Sequence, residues 1–323
     1  MSGSNIDVVC AGILVADMFV PPLERLPQEG ELVLVDQFLM STGGCAANAG
    51  ISLAKLGVKV SIAGKVGNDS FGRFIAEDLK MHGLADVSQI RVSQTHDTSR
   101  TVILTVKGQD RRFIHAIGAN ADFSVGDIDV DLVCKSKILY VGGYQIMPSV
   151  TPEALGQLFK TVQATGVITV LDVAGVDPKK GLEPFIPVLK YTDAFLPNDD
   201  EARLITGEED PIRQTKIFQD LGAKISVVTM GEKGIIARAG DKVYRAPVFP
   251  VEVVDPSGGG DAFDAGFIVG MLEGWKIGKI IEFASAVGAS CVTKLGTTAG
   301  VFTRPEADAF LTEYSLSIEE LQG

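Results

Sequence analysis

Residues 253–272 read "VVDPSGGGDAFDAGFIVGML": three consecutive glycines, an aspartate, and then a strongly apolar run. Glycine lets the backbone approach a ligand closely, and the start of the predicted helix offers free N–H groups and the positive end of the helix dipole. Gly258, Gly259 and Gly260 are therefore candidates for an anion-binding turn. Asp261 has two interpretations, because an acidic residue can stabilise a first helical turn by about 0.3–1 kcal/mol or can do chemistry on a bound anion.

Composition narrows the class of protein. The chain has 323 residues, 46% of them hydrophobic, and a formal net charge of −12. This balance favours a globular chain and disfavours nucleic acid or an anionic membrane as a partner. The four cysteines lack the CxxC spacing of a zinc site or a disulfide framework, which suits a reducing compartment.

The N-terminal run "IDVVCAGILVADMFV" predicts a strand rather than a signal peptide, because Asp7 and Asp17 interrupt it and no basic residue precedes it. No uninterrupted apolar run reaches the roughly 18 residues of a membrane span. We therefore expect a cytoplasmic protein.

Two patterns of hydrophobicity organise the chain. From about residue 135, short β-rich runs such as "VITVLDVA" alternate with helix-like segments such as "TPEALGQLFKTVQATG", which predicts βαβ units on a mostly parallel sheet. Earlier, "ELVLVDQFLM" predicts an extended strand, and "RTVILTVKGQDRRFIHAIG" predicts a hairpin that turns at "KGQDR". Without a visible repeat or linker, we expect one domain over residues 1–323 with a small β-sheet lid.

Three further segments carry candidate binding residues, each with a structural alternative. "STGGCAANAG" offers two glycines and Asn48 to a ligand's hydroxyl groups, or packs a helix closely. "FLPNDDEARLITG" places Asn198 and Glu201 three residues apart, suited to magnesium-bound water or to a helix cap. "VVTMGEKGIIAR" exposes Thr229 and backbone groups, or is a simple β-turn. The chain has no GxxxxGK[ST], GxSxG or HExxH motif and no N-terminal GxGxxG.

In this order, the segments resemble the ribokinase or phosphofructokinase-B (pfkB) family of carbohydrate kinases, from "AGILVAD" to "KLG" near residue 296. Its signature D-T-x-G-A-G-D-x-F is similar to "DPSGGGDAF" here, with a match at Asp255, Gly258, Gly260, Asp261 and Phe263. The resemblance implies a ribokinase-like α/β fold, with a mostly parallel central sheet flanked by helices. It also implies a β lid formed by about residues 14–40 and 95–120.

The same resemblance implies a role for each candidate. Asp261 is similar to the general base that activates an acceptor hydroxyl toward the γ-phosphate of ATP, and the glycine N–H groups would hold the transferring phosphoryl group. Asn198 and Glu201 would organise Mg²⁺ through water, and a K⁺ site is allowed at Asp255 and the Ser257 carbonyl. The acceptor would be bound by Asp17, Gly43, Gly44 and Asn48. The nucleotide would be bound by Thr229, Gly231 and Gly234.

The implied activity is ATP-dependent phosphorylation of a hydroxymethyl group on an unphosphorylated sugar or sugar acid. Cys45 stands where ribokinases and phosphosugar kinases of the family carry Lys, and Val15 replaces an Asn common in ribokinases, so ribose is disfavoured. Arg100, Arg111 and Arg112 could pair with an acid group or be solvated. A nucleoside kinase of the same fold, a non-catalytic sugar- or nucleotide-binding protein and a dehydrogenase stay open as alternatives. The resemblance also allows a homodimer through the lid.

Overall fold

The computed structural model describes residues 6–109 and 111–322. Its runs of β-branched and aliphatic residues form a ten-stranded central sheet. In chain order, the strands of this sheet are β1 (Val8–Gly12), β4 (Val60–Val66), β5 (Asp86–Val92), β8 (Ile138–Tyr144), β9 (Ile168–Val173), β10 (Ala194–Phe195), β11 (Ile225–Thr229), β12 (Ile235–Ala239), β13 (Lys242–Ala246) and β14 (Glu319–Gln322). A second sheet of four strands contains β2 (Val15–Leu23), β3 (Leu39–Gly43), β6 (Arg100–Val106) and β7 (Arg112–Ala116).

Ten α-helices among the described residues connect and cover the strands. They are α1 (Cys45–Lys55), α2 (Ser70–Met81), α3 (Val130–Val133), α4 (Pro152–Gln163), α5 (Ile186–Leu189), α6 (Asp199–Thr206), α7 (Pro211–Asp220), α8 (Gly259–Leu272), α9 (Ile277–Cys291) and α10 (Arg304–Glu313). No helix in this part of the chain is both long and apolar enough to cross a bilayer.

The strand order of the central sheet is β14-β13-β12-β11-β10-β9-β8-β1-β4-β5. Pairing is parallel from β5 to β11 and antiparallel from β11 to β14. The chain leaves β1 toward β4 on one side and later adds β8 on the other, so the order reverses between β1 and β8. At such a reversal, the loops beyond the carboxyl ends of the strands diverge and leave a crevice for a ligand.

Apolar side chains pack on both faces of the central sheet. In β1, Val8 and Cys10 belong to one buried cluster, and Val9 and Ala11 belong to the other. Helices α1, α8 and α9 contribute to the first cluster, and α4 and α7 contribute to the second. A sheet covered on both faces explains why its strands are continuous apolar runs.

The N-terminal apolar run is two strands rather than the single predicted strand. It leaves the central sheet after β1 and enters the small sheet at β2. The amide side chain of Asn120 stabilises this crossing: its Oδ1 accepts from the Leu14 N–H at 3.1 Å, and its Nδ2 donates to the Leu14 carbonyl at 3.0 Å.

The small sheet lies where the lid was expected. Strands β6 and β7 are antiparallel, with Leu104 opposite Arg112, which confirms the hairpin; residue 110 of its turn lies outside the described residues. The predicted strand "ELVLVDQFLM" is wrong over residues 31–38, because only its last two residues enter β3. Apolar residues alternate in this segment, but no neighbouring strand pairs with residues 31–38 among the described residues. The side chains of Leu32 and Leu34 are accordingly 83% and 86% exposed.

Candidate active site

The glycine turn lies at the N-terminus of α8. Gly258 is its N-cap and adopts a left-handed conformation with φ 76°, and a Cβ at this position would lie 2.1 Å from the Thr297 carbonyl oxygen. Only glycine fits there without a shift of the backbone. Gly258, Gly259 and Gly260 line a cavity of about 190 Å³. The first N–H groups of α8 are thus available to an anion, as the sequence predicts.

Asp261 lines the same cavity, in the first turn of α8. Its Oδ2 accepts a hydrogen bond of 2.8 Å from Nδ2 of Asn48, which comes from α1. Burial raises the pKa of Asp261, while the hydrogen bonds from Asn48 and Cys45 lower it. The structure therefore joins the predicted base to a predicted acceptor-binding residue.

Two further carboxyl groups, at Asp172 and Asp264, line the cavity and were not predicted. Asp172 lies on β9, where its Oδ2 accepts from the Gly143 N–H at 3.1 Å. Tyr140 donates to Asp264 Oδ2 at 3.0 Å. Burial is the largest cause that raises the pKa of each of these two groups well above the usual range, and the nearby carboxylates add to the increase. A usable signal existed for Asp172: an acid near the carboxyl end of a buried parallel strand faces the ligand crevice.

Cys45, Asp172 and Asp261 form a compact group whose potential ligand atoms lie within 4.8 Å of one another. The Cys45 thiol is held neutral, because burial raises its pKa well above the usual range and the neighbouring acids add to the shift. Because a thiol is neutral, or negative when ionised, this position of α1 supplies no positive charge to the cavity.

Asn198 and Glu201 confirm their helix-cap interpretation, and their role in holding Mg²⁺ stays a prediction. They form a capping box on α6: Asn198 Oδ1 accepts from the Glu201 N–H at 2.9 Å, and Glu201 Oε2 accepts from the Asn198 N–H at 3.0 Å. Both also line the cavity. Burial raises the pKa of Glu201 to about 7, and the Asp261 carboxylate adds to the increase. Carboxylate oxygens here and at Asp172 are the hard ligands that Mg²⁺ prefers.

The predicted acceptor residues lie between the small sheet and α1. Asp17 on β2 is buried, which raises its pKa to about 7; the Thr101 hydroxyl lowers this pKa and the Asp261 charge raises it. Gly43 ends β3, where an added Cβ would lie 1.8 Å from Asp17 Oδ2. Gly44 is the N-cap of α1 with φ 93°. Together with Asn48, these residues connect the small sheet to the base.

The predicted nucleotide residues follow β11. Thr229, its last residue, lines the cavity and forms an isolated parallel bridge with Asn198. Gly231 and Gly234 flank the next turn, with φ 55° and 93°, and do not line this cavity. The Gly234 carbonyl accepts from the Met230 N–H at 2.9 Å, so this segment is also an ordinary closed turn.

Asp255 holds the chain that precedes the glycine turn. It is 3% exposed; its Oδ1 accepts from the Ser257 N–H at 2.9 Å and its Oδ2 from the Gly296 N–H at 2.9 Å. Nη1 of Arg111, from the lid hairpin, lies 3.2 Å from Asp255 Oδ1 and also contacts the Ser257 hydroxyl.

The three lid arginines have different surroundings. Arg111 pairs with an acid group, as one of the two sequence interpretations allows, and that acid is Asp255 of this chain. Arg112 is exposed and contacts Gln109. The Arg100 guanidinium lies over the Phe71 ring, with its carbon 5.2 Å from the ring centroid. Only Arg111 therefore connects the lid to the glycine turn through a contact seen among the described residues.

A crevice with an anion-binding turn, a carboxylate beside it and further acids for a metal is typical of phosphoryl-transfer enzymes, which work by positioning and electrostatics. The chain belongs to the pfkB family of carbohydrate kinases, whose model matches residues 5–304. It is therefore a sugar kinase and a phosphotransferase, and the non-catalytic and dehydrogenase alternatives are set aside.

Two relatives of similar sequence have names that specify different acceptors. A ribokinase of Bacillus subtilis is 28% identical over 289 residues, covering 90% of this chain and 94% of the relative. A 5-dehydro-2-deoxygluconokinase of Clostridium perfringens is 30% identical over 264 residues, covering 77% of this chain and 78% of the relative. The structure of Arabidopsis thaliana ribokinase complexed with ribose and ATP is similar with a TM-score of 0.81 and 27% identity, covering 95% of this chain and 99% of that one. The ribokinase-like fold is thus confirmed.

Proposed function

We propose that this sugar kinase transfers the γ-phosphoryl group of ATP to a hydroxymethyl group of an unphosphorylated sugar or sugar acid. The observation that carries the proposal is the hydrogen bond of Asn48 to Asp261, directly behind the glycine turn. This contact supports the proposal because it joins a candidate acceptor ligand to a candidate base that follows the candidate anion-binding turn in the chain. The similar Arabidopsis ribokinase structure, which contains ribose and ATP, supports two substrates of these classes.

In the proposed mechanism, Asp261 accepts the proton of the acceptor hydroxyl. That oxygen forms a bond to the γ-phosphorus while the bond from this phosphorus to the bridging oxygen breaks, and ADP leaves with the electron pair. The N–H groups of Gly258, Gly259 and Gly260 stabilise the charge on the transferring group. Burial raises the pKa of Asp261 above its usual range, which makes its carboxylate a stronger base than that of an exposed aspartate.

Substrates and metal would be divided among the remaining candidates. Asp17, Gly43, Gly44 and Asn48 would hold the hydroxyl groups of the acceptor. Thr229, Gly231 and Gly234 would border the nucleotide. Asn198 and Glu201 would hold Mg²⁺ through water, with Asp172 beside them. When bound, Mg²⁺ would neutralise charge on the phosphate oxygens.

The acceptor class follows from charge. A sugar phosphate needs a cation for its own phosphate group, yet Cys45 beside the base is a neutral thiol. The neighbouring Asp172, Asp261 and Asp264 are acids, so none of these side chains supplies the positive charge that would bind a phosphate group. Asp17 and Asn48 favour a hydroxyl-rich acceptor. These side chains disfavour the nearly double charge of a phosphate group more than the single charge of a carboxylate, so the proposed acceptor is a neutral sugar or a sugar acid.

Three secondary proposals accompany the function. We place the reaction in the cytoplasm, where the free cysteines at positions 10, 45, 134 and 291 would stay reduced. A K⁺ ion is proposed at Asp255 and the Ser257 carbonyl, where it would share Asp255 with Arg111. Residues 1–323 would act as one kinase unit, with the lid of about 14–40 and 95–120 closing over the acceptor and excluding water.

The lid also supports a proposed homodimer. Its exposed apolar side chains include Leu34 (86%), Phe38 (67%), Phe113 (57%) and Ile114 (64%), and exposed apolar side chains of this size favour an interaction surface when they are contiguous. A second copy would cover this face. Light scattering after size-exclusion chromatography should show a dimer that Leu34→Glu weakens; a monomer at all concentrations would remove the proposal.

A coupled ADP-release screen over neutral sugars, sugar acids, sugar phosphates and nucleosides tests the acceptor class. The highest kcat/KM should belong to a neutral hexose, a ketose or a sugar acid. A clear preference for ribose or a sugar phosphate would overturn the proposed acceptor, and a preference for nucleosides would replace it with a nucleoside kinase.

A further inference from the structure

Arg111 extends from the lid to the segment that precedes the glycine turn. It lies between β6 and β7, beside the hairpin turn, and its partners Asp255 and Ser257 are 144 and 146 residues away in the chain. Its side chain is 20% exposed, and that of Asp255 is 3% exposed. The contact is therefore largely removed from water, unlike an ordinary surface ion pair.

Asp255, the partner of Arg111, holds the glycine turn in place through backbone hydrogen bonds. The two carboxylate oxygens of Asp255 accept from the N–H groups of Ser257 and Gly296. Ser257 precedes Gly258, and the loop after Gly296 brings the Thr297 carbonyl against Gly258. Asp255 thus fixes both chain segments that enclose the left-handed residue at the start of α8.

The lid also orients Arg111. The guanidinium carbon lies 5.4 Å from the centroid of the Phe113 ring, two residues along the chain at the start of β7. A cation over an aromatic face is favourable, and an arginine held on one face loses less rotational freedom when it forms its ion pair. The position of the hairpin consequently sets the position of the guanidinium.

We propose that Arg111 is a positioning residue that couples closure of the lid to ordering of the glycine turn. With the lid closed, its guanidinium neutralises the buried Asp255 carboxylate and holds the Ser257 hydroxyl. When the lid moves away, Asp255 loses this charge partner, and the N–H groups of Gly258, Gly259 and Gly260 lose their fixed alignment. The anion site is then complete only while the acceptor is covered, which limits transfer to water. This inference rests on the proposed function.

Hydrogen–deuterium exchange of the full chain tests the coupling without any activity. Arg111→Ala should speed exchange both in residues 107–117 and in residues 255–260, relative to the wild type. Arg112→Ala is the matched control, because this neighbouring arginine is exposed and, among the described residues, its side chain bonds to the nearby Gln109. The 255–260 segment of this variant should exchange as in the wild type. Unchanged exchange of 255–260 in Arg111→Ala would overturn the inference.

Kinetics add the functional half of the test. With the acceptor found in the screen, Arg111→Ala should lower kcat of transfer about 10- to 100-fold, since small misplacements of catalytic groups have effects of this size. The ratio of ATP hydrolysis to sugar transfer should rise as well. Arg111→Lys keeps the charge but lacks the planar guanidinium, so its kcat and its hydrolysis ratio should lie between those of the wild type and Arg111→Ala. If Arg111→Ala does not fold, Arg111→Lys is compared with Arg112→Lys by hydrogen–deuterium exchange and by kinetics. Wild-type kcat and hydrolysis ratio in the Arg111 variant would contradict the coupling. Failure of the wild type on every acceptor would instead contradict the proposed function.

Discussion

In the proposed mechanism, Asp261 must be ionised to accept a proton, yet its burial favours the neutral form. The amide of Asn48 offsets part of this effect, because a hydrogen bond of 2.8 Å to Oδ2 stabilises the carboxylate. The same bond aims the carboxylate at the crevice. In the proposed mechanism, burial therefore raises the pKa of Asp261 and strengthens it as a base, while the Asn48 hydrogen bond favours its ionised form.

Asp261→Asn should leave folding and ATP binding nearly intact and lower turnover by roughly 10²- to 10⁴-fold, the usual loss for a general base. Steady-state kinetics with the identified acceptor, together with an ATP titration, measure both quantities. Asp308→Asn on the exposed side of α10 is the control and should behave as the wild type. Near-normal turnover of Asp261→Asn would remove the base assignment.

Glu201→Gln separates the two roles of that side chain. Glutamine keeps the capping box of α6 but removes the negative charge, so the Mg²⁺ concentration for half-maximal rate should rise several-fold while the thermal unfolding midpoint changes little. The control is Asp200→Asn, whose side chain is 74% exposed and pairs with Arg203. An unchanged Mg²⁺ requirement would leave Glu201 only its structural role.

At the scale of elements, the site depends on how closely α1, β2 and β3 approach one another. Gly43 permits this approach, since an added Cβ would lie 1.8 Å from Asp17 Oδ2. The position of Asp17 is thus set by the absence of a side chain on the neighbouring strand. Backbone proximity of this kind is a property of strand pairing, which places Val15 opposite Gly43.

Gly43→Ala should displace Asp17 and raise KM for the acceptor about 10-fold or more, with a much smaller change in KM for ATP. The comparison variant is Gly126→Ala, where an added Cβ would meet only Ser124 Oγ at an ordinary 3.6 Å. Equal increases in both KM values would indicate a general disturbance of the fold rather than a specific loss of acceptor contacts.

The dependence of the transfer rate on K⁺ tests whether a cation at Asp255 helps to order the glycine turn. K⁺ should stimulate transfer if its charge helps Asp255 to order the segment before α8, and the stimulation should be larger in Arg111→Ala, where the guanidinium no longer competes for Oδ1. Rates in K⁺ and in tetramethylammonium are compared at equal ionic strength. Equal rates in both salts, in both proteins, would eliminate the cation site.

At the scale of the whole molecule, the crevice concentrates acids in a chain of net charge −12. Burial raises the pKa of Asp17 from its usual 3.8 to about 7 and that of Glu201 from 4.5 to about 7. Such groups bind protons more tightly in the folded chain than in the unfolded chain. Their contribution to stability is therefore complete below about pH 4 and is lost as the pH rises through about 7.

The ligand-free protein should accordingly have a lower thermal unfolding midpoint at pH 8 than at pH 5.5. Acids whose pKa is lowered, such as Asp122 and Asp193, lose their contribution only as the pH falls below their usual range, outside this window. Calorimetry between pH 5.5 and 8 measures the slope, and Asp17→Asn should reduce it. A midpoint that rises over this interval would show that other groups dominate.

The sequence by itself determined the features that depend on neighbouring residues. The glycine turn before α8, the capping box of Asn198 and Glu201, the lid hairpin and the βαβ alternation all follow from backbone stereochemistry and from short-range periodicity. These rules act within a few residues, so they can be recognised in the sequence. The strand predicted at residues 31–38 shows their limit, because a strand also needs a partner edge.

Only the tertiary structure decided which of these features meet. Asn48 and Asp261 are 213 residues apart, and Arg111 is 144 residues from Asp255; Asp172 joins the cavity from a third region of the chain. Their convergence depends on the reversal of strand order between β1 and β8 and on the crossing of the chain from β1 into the lid. The physical reason is that packing and long-range hydrogen bonds choose among many pairings that local patterns leave equally possible.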